Sequence, residues 1–214
     1  MPPKLIALLA ALALQGPGPW GPLPPGFTRV FNGQNLAGWR ISLTNHHGRT
    51  SEWRIDNGIL SATQDRPGHG GILLSDAVYR DFEVYLEIKP DFGCDGGLFL
   101  RSSEQGHAYQ VMIDYLEGGS VGGIYGERLP GTQGVRPQDY LKHWKKDDWN
   151  TLRARIEGTP PTITVWLNDQ QIVHWTDTET RARQGHLALQ VHGGKRWVEK
   201  RFHRFRNIAV RELR

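Results

Sequence analysis

The chain has 214 residues, 22% charged and 38% hydrophobic, with 26 Lys and Arg against 22 Asp and Glu for a formal net charge of +4. That length allows one sizeable core without covalent staples, and a single cysteine, Cys94, excludes any disulfide within the chain. The basic excess is dispersed except from Lys195 to Arg206, where seven of twelve residues are Lys, Arg or His; a solvated strand face or a contact with acidic glycan explains it better than nucleic acid, and no nucleic-acid partner is expected.

Met1 to Lys4 carries one positive charge, Leu5 to Leu14 is an uninterrupted apolar run, and Ala11-Leu-Ala13 has the small-x-small spacing of a signal peptidase site. Residues 1–16 therefore read as a signal peptide, and the protein is expected to be exported, to the periplasm or beyond the cell. A transmembrane helix needs ~20 apolar residues, so no stable membrane span is expected after cleavage. Residues 17–26 are rich in Pro and Gly and read as an extended tether. Residues 27–214 read as one domain.

Within that domain the apolar pattern has period two. Phe82, Val84, Leu86 and Ile88 alternate with Glu83, Tyr85 and Glu87, which predicts a strand with one wet face. Leu152, Ala154 and Ile156, then Ile163, Val165 and Leu167, then Leu187, Leu189 and Val191 repeat the pattern. Turn chemistry separates the runs at Asn57-Gly58, Gly93 to Gly97, Gly158 to Pro161 and Asn168-Asp169. Phe92-Gly-Cys-Asp-Gly-Gly97 makes Cys94 a turn residue and not a nucleophile. A turn or short helix is expected around Pro137 to Lys146. Short strands at hairpin spacing without interleaved helices predict an all-β fold, two antiparallel sheets packed as a sandwich. Trp39, Trp53 and Trp149 are expected in its core or at its rim, each indole N–H bonded to a loop.

Strand parity isolates polar residues that share a face. Phe99 and Arg101 fall on one side of their strand and Leu98 and Leu100 on the other. Tyr109, Val111 and Ile113 point one way; Gln110, Met112 and Asp114 point the other. Gln190 and His192 oppose Leu187, Leu189 and Val191. If these strands are neighbours, Arg101, Gln110, Asp114, Gln190 and His192 meet on the open face of one sheet. Such a surface suits sugars, whose hydroxyls pair with Arg, Asp and Gln and whose C–H faces stack on aromatics; ordinary solvent-facing residues give the same alternation. Tyr109, Tyr115, Tyr125 and Trp197 are available for stacking. Loop residues His46, His47, His69, Glu117 and Glu127 are candidates to complete the site. His192, Asp114 and a loop carboxylate could together hold a divalent metal ion, although no metal-ligand spacing marks one. No Gly-x-Ser-x-Gly elbow and no Walker loop is present.

Several segments in order resemble one family. Phe31-Asn-Gly-Gln-Asn-Leu-Ala-Gly-Trp39, Trp53 to Leu60, Tyr79-Arg-Asp-Phe-Glu83, Gly96 to Arg101, Ala108 to Asp114, Gly122 to Gly126, Ile163 to Asn168, Gly185 to His192 and Phe205 to Ile208 are similar to the successive motifs of the 3-keto-disaccharide hydrolases. The resemblance implies a concanavalin A-like jelly roll acting on glycosides whose C3 hydroxyl has been oxidised to a ketone. The ketone acidifies the C2 proton, a base removes it, the aglycone leaves from C1, and water adds back. That chemistry needs a base, a stabiliser of the enolate oxygen and an acid, but not the paired carboxylates of ordinary glycosidases. Carried onto this chain, the resemblance makes His192 the base or a metal ligand, Asp114 its partner and Arg101 the enolate stabiliser. Gln110, Gln190, Tyr109, Tyr125 and Glu127 would bind substrate. Gln110 stands where the family motif has a carboxylate; an amide cannot titrate, so acid or base work passes to Asp114 or Glu127. A non-catalytic carbohydrate-binding module is the alternative the same sandwich allows.

Overall fold

This computed structural model describes residues 20–194 and 201–213. The segment read as a signal peptide, part of the stretch read as a tether, Trp197 and half of the basic stretch lie outside the described residues.

In chain order the first strands are β1 (Thr28–Arg29), β2 (Trp39–Ile41), β3 (Trp53–Asp56), β4 (Ile59–Ala62) and β5 (Gly71–Tyr79). β6 (Phe82–Ile88), β7 (Gly96–Ser102), β8 (Ala108–Ile113) and β9 (Val121–Glu127) follow. A 3-10 turn at Tyr140–Lys142 falls inside the predicted Pro137 to Lys146 segment. The chain closes with β10 (Asn150–Glu157), β11 (Thr162–Leu167), β12 (Gln170–Thr176), β13 (Gly185–Val191) and β14 (His203–Glu212). The larger sheet runs β12-β11-β10-β6-β14-β4-β3, with β1 also on β14, and the smaller runs β2-β5-β13-β7-β8-β9. Every recorded pairing is antiparallel. Two hairpins turn through left-handed residue pairs, Asn57-Gly58 (φ 48° and 80°) and Asn168-Asp169 (φ 48° and 66°), the backbone that matches strand twist in a two-residue loop.

The inner faces meet as the alternation predicts. Phe82, Val84, Leu86 and Ile88 of β6 pack with Leu152, Ala154 and Ile156 of β10 and, across the layer, with Leu98, Leu100, Tyr109, Val111, Leu187 and Leu189. Full burial of a Leu or Val side chain contributes about 1.5–3 kcal/mol, so this layer carries most of the stabilisation. Trp39 donates its indole N–H to Val30 O at 2.8 Å. The other two tryptophans depart from expectation: Trp53 Nε1 is buried without a hydrogen-bond partner, and the half-buried Trp149 lies under the Arg206 guanidinium, 4.0 Å away. The outer face of the larger sheet is wet but ordered. Glu83 is fully buried there because Arg153, Arg155 and Arg211 close over it at 2.9–3.0 Å.

Cys94 is buried in the β6–β7 turn, and burial with the nearby Asp91 pushes its thiol up to about 12. It is inert, as the turn reading implied.

Candidate active site

The outer face of the smaller sheet has two zones. Ile72, Leu74, Phe99, Ala108 and Ala188 form a second, small apolar core there. The loop carrying residues 42–50 is fixed beside it by its own hydrogen bonds. Asn45 Nδ2 donates to Ser42 O (2.9 Å) and Gly48 O (3.0 Å), and its Oδ1 accepts from the His47 backbone N–H (2.9 Å). Ser42 Oγ ties the loop to Glu104 O, and Arg49 N–H donates to His69 Nε2 at 3.2 Å. This loop delivers His46 and His47 to the second, polar zone.

There a cleft of about 700 Å³ opens, lined among others by His46, Asp95, Gln110, Asp114, Tyr125, Glu127, Arg128, Arg136 and His192. β8 and β13 supply Gln110 and Gln190 from the parity predicted, β9 ends in Glu127, and Asp114 and His192 stand just past their strands. Gln110 Nε2 donates to Gly96 O and to Gln190 Oε1, both at 3.1 Å. Gly97 leaves room for this, since a Cβ there would sit 2.6 Å from Gln110 Nε2. Gln190, fully buried, reaches His47 Nε2 at 2.9 Å. The three imidazoles form a row: ring centroids lie 4.0 Å apart for His46 and His47 and 4.9 Å for His47 and His192.

The row has a carboxyl group at each end, in opposite states. At one end Glu127 Oε1 lies 3.0 Å from His46 Nε2 and 3.8 Å from His47 Nε2. Burial alone would raise Glu127, but the hydrogen bond and charge of His47, with His46 and His192, hold it below the usual carboxylate range. His46 is lowered, by burial and by His47 against the opposing pull of Glu127. It is therefore a neutral imidazole at neutral pH. In the tautomer that carries the proton on Nε2, facing Glu127 Oε1 at 3.0 Å, Nδ1 is the nitrogen that accepts a proton. At the other end Asp114 is raised to about 8, by burial first and by repulsion from Asp95, against a Gly96 backbone hydrogen bond and Arg136. Its Oδ1 is buried with no hydrogen-bond partner, as suits a carboxyl whose charged form burial disfavours. His192 Nδ1 accepts the Gly194 N–H at 2.9 Å, so a neutral His192 carries its proton on Nε2 and acts as a donor. Asp95 Oδ2 is 3.7 Å from the same ring.

The ligand atoms of His46, His47 and Glu127 lie within 4.8 Å of one another, a spacing that could hold a metal ion; this differs from the expected set of His192, Asp114 and a loop carboxylate. Hydrogen bonding weighs against His47 as a ligand. Its Nε2 is met by Gln190 Nε2, and its Nδ1 by the Gly193 N–H at 3.2 Å. The Gly193 N–H takes the Nδ1 lone pair, so a neutral ring carries its proton on Nε2, where it serves Glu127. Both ring nitrogens are thus engaged by the protein, leaving His46 and Glu127 as the available pair.

Five predicted residues meet in the cleft or directly beneath it: His192, Asp114, Gln110, Gln190 and Glu127, with Tyr125 exposed on its wall. Arg101 and Tyr109 do not. Arg101, 1% exposed, donates to Arg80 O, Ala182 O and Asp81 Oδ1 at 2.6–3.1 Å and braces the end of the sandwich. Its φ of 54° breaks the strand alternation that placed it beside Phe99. Tyr109 belongs to the inter-sheet core, and its hydroxyl donates to Asp177 Oδ2 at 3.0 Å. Tyr115 is also core, Glu117 is exposed outside the cleft, and His69 pairs with Asp65 at 2.6 Å behind the His46 loop. Sequence reasoning missed Asp95, Arg128 and Arg136. Asp95 was visible only as part of a glycine turn, and the arginines lie in the irregular segment after β9.

Comparison with solved structures identifies the fold. Two proteins from Parabacteroides distasonis ATCC 8503, provisionally assigned as glycosyl hydrolases, superpose with a TM-score of 0.62 each. One is 21% identical over 87% of this chain and 99% of its own, the other 14% identical over 88% and 94%. A β-glucanase of Bacillus licheniformis superposes with a TM-score of 0.58 at 14% identity, over 86% of this chain and 96% of its own. These identities establish a concanavalin-like sandwich and no more. No curated protein matches the chain significantly. The sequence itself matches, over residues 26–211, the family described as the 3-keto-alpha-glucoside-1,2-lyase-like domain. The chain, an all-β sandwich with a polar cleft on one sheet, belongs to that 3-keto-disaccharide hydrolase family.

Proposed function

We propose that the protein cleaves 3-keto-glycosides by 1,2-elimination followed by hydration, and that it does so after export. The observation that carries this reading is the split of carboxyl states across one cleft: Glu127 ionised beside a neutral His46, Asp114 protonated at the far end. Groups pushed apart in this way are matched to base and acid work at the same pH. His46 Nδ1 takes the C2 proton, with Glu127 holding the ring and stabilising the imidazolium that forms. The electron pair passes to the C3 oxygen, which the His192 Nε2–H stabilises as an enolate. As the C3 carbonyl re-forms, the pair makes the C1–C2 double bond, the C1–O bond breaks, and Asp114 delivers its proton to the departing oxygen. Water then adds across C1–C2, its hydroxyl to C1 and a proton to C2, which completes net hydrolysis. Tyr125 offers a stacking face for the sugar ring. This assigns the base to His46 and leaves His192 as the donor; Arg101 has no part.

The purified protein is to be incubated with a 3-keto-glucoside and with its unoxidised parent, with and without EDTA. Aglycone release from the keto sugar alone is expected, unchanged by EDTA. Absence of release from a panel of keto sugars, with glycan binding retained, would return the protein to the binding-module reading. A loss of activity with EDTA that added metal restores would place a cation on His46 and Glu127.

A further inference from the structure

The acids of the cleft each have their charge answered or suppressed. Glu127 is met by His46 and His47, Asp95 lies 3.7 Å from His192, and Asp114 keeps its proton. The two cations do not. Arg128 and Arg136 line the same cleft, are exposed, and among the described residues make no ion pair with a carboxylate. Arg136 Nη1 donates only to Gly118 O at 3.3 Å, and Arg128 Nε makes only a long contact, 3.5 Å, to His46 Nε2. Elsewhere the fold pairs its arginines readily, as with Arg153, Arg155, Arg204 and Arg206. Arg128 also holds φ at 52°, a left-handed backbone that costs a residue with a Cβ. The two guanidiniums flank the chemistry: Arg128 beside His46, Arg136 close enough to Asp114 to act on its charge. The net charge of +4 adds a field that draws anions toward such a site.

We infer that the cleft takes an acidic glycoside, one bearing a carboxylate or a sulfate, and that Arg128 and Arg136 recognise its anionic group. Guanidinium forks match both oxyanions geometrically. The inference rests on the cleft being the sugar site proposed above, but it does not need the elimination chemistry.

The test is therefore a binding measurement with unoxidised compounds, which cannot undergo elimination. The full chain is titrated, at low and high salt, with p-nitrophenyl α-D-glucoside, its 6-sulfate and p-nitrophenyl α-D-glucuronide. At least one acid is expected to bind about tenfold tighter than the neutral glucoside, the worth of one charge-assisted hydrogen bond. The advantage should shrink with salt and vanish in the R128Q/R136Q double variant, whose circular dichroism should match the parent because both side chains are exposed. The acid preferred then identifies carboxylate or sulfate as the partner. Equal affinity for neutral and acidic sugars, no binding of any of the three, or an acid preference that survives the double substitution would overturn the inference. A failed keto-sugar turnover assay leaves this measurement intact, so the two readings fall separately.

Discussion

His46 and Asp114 bear the heaviest chemical demands, and each is set for its task by neighbours. Replacing His46 by Ala removes the imidazole assigned as the base. Turnover of a 3-keto-glucoside is expected to fall about 10²–10⁴-fold, the usual yield of a general base, with binding of the unoxidised sugar unchanged. A Glu127→Gln variant should keep the fold and lose part of the same factor. Asp114 makes a prediction in pH. Its folded value of about 8 lies above the unfolded value of about 4, so the folded state holds the extra proton between those limits. The penalty is absent below pH ~4 and grows as pH rises toward ~8, with stability falling across that window. Urea titrations should show the fall in the parent and its absence in Asp114→Asn, while kcat declines above about pH 8 as the leaving group loses its acid. A parent stability that rises over that window would contradict a protonated Asp114. Of these residues, parity alone placed Asp114 and His192 on the right face. It could not place His46, because a loop residue has no parity. Arg101 misled because a left-handed φ is invisible in an alternating string.

At the scale of single strands, alternation reported burial well. β6 and β10 bury every second residue toward the opposite sheet, as written in the sequence. What alternation did not reveal is that the wet face of β6 is also sealed. Glu83 is raised by burial, but hydrogen bonds and charge from Arg211 and Arg155 more than offset this and hold it below the usual carboxylate range. Glu83→Gln leaves three guanidiniums sharing one neutral acceptor. A loss of about 3 kcal/mol in denaturant unfolding is expected, at the low end for a broken buried pair because the arginines stay partly solvated. A loss under 1 kcal/mol would show that water already does most of the work at this site. Alternation also missed the irregularity between His186 and Ala188 of β13, where the register shifts against both β5 and β7. Such bulges are set by pairing partners, which one strand's sequence does not contain.

For the molecule as a whole, the all-β class, the antiparallel pairing and the two-layer packing could be read from patterning and turn chemistry, because a strand with one apolar face must bury it against another layer. The order of strands in each sheet could not, since the β2-β5-β13-β7-β8-β9 succession joins segments far apart in sequence. The cleft inherits that opacity: β13 and β8 flank β7, and only this arrangement sets Gln190 near Gln110. Distant pairing also sets stability. β14 lies in the middle of the larger sheet, bonded to β6, β4 and β1. Removing residues 203–213 should abolish the cooperative thermal transition, whereas trimming the two-residue β1 should lower Tm by only a few degrees, as a ~1 kcal/mol change would.

The position of β14 has a consequence for synthesis. Among the described residues, a ribosome finishes every other strand before it makes the one that joins β6 to β4, so until then the nascent chain carries two open, hydrogen-bond-hungry edges. Folding during translation cannot run to completion, and slow, non-local closure of this kind leaves such edges free to aggregate. The polypeptide is thus kept pliable for most of its making, which suits the export proposed above.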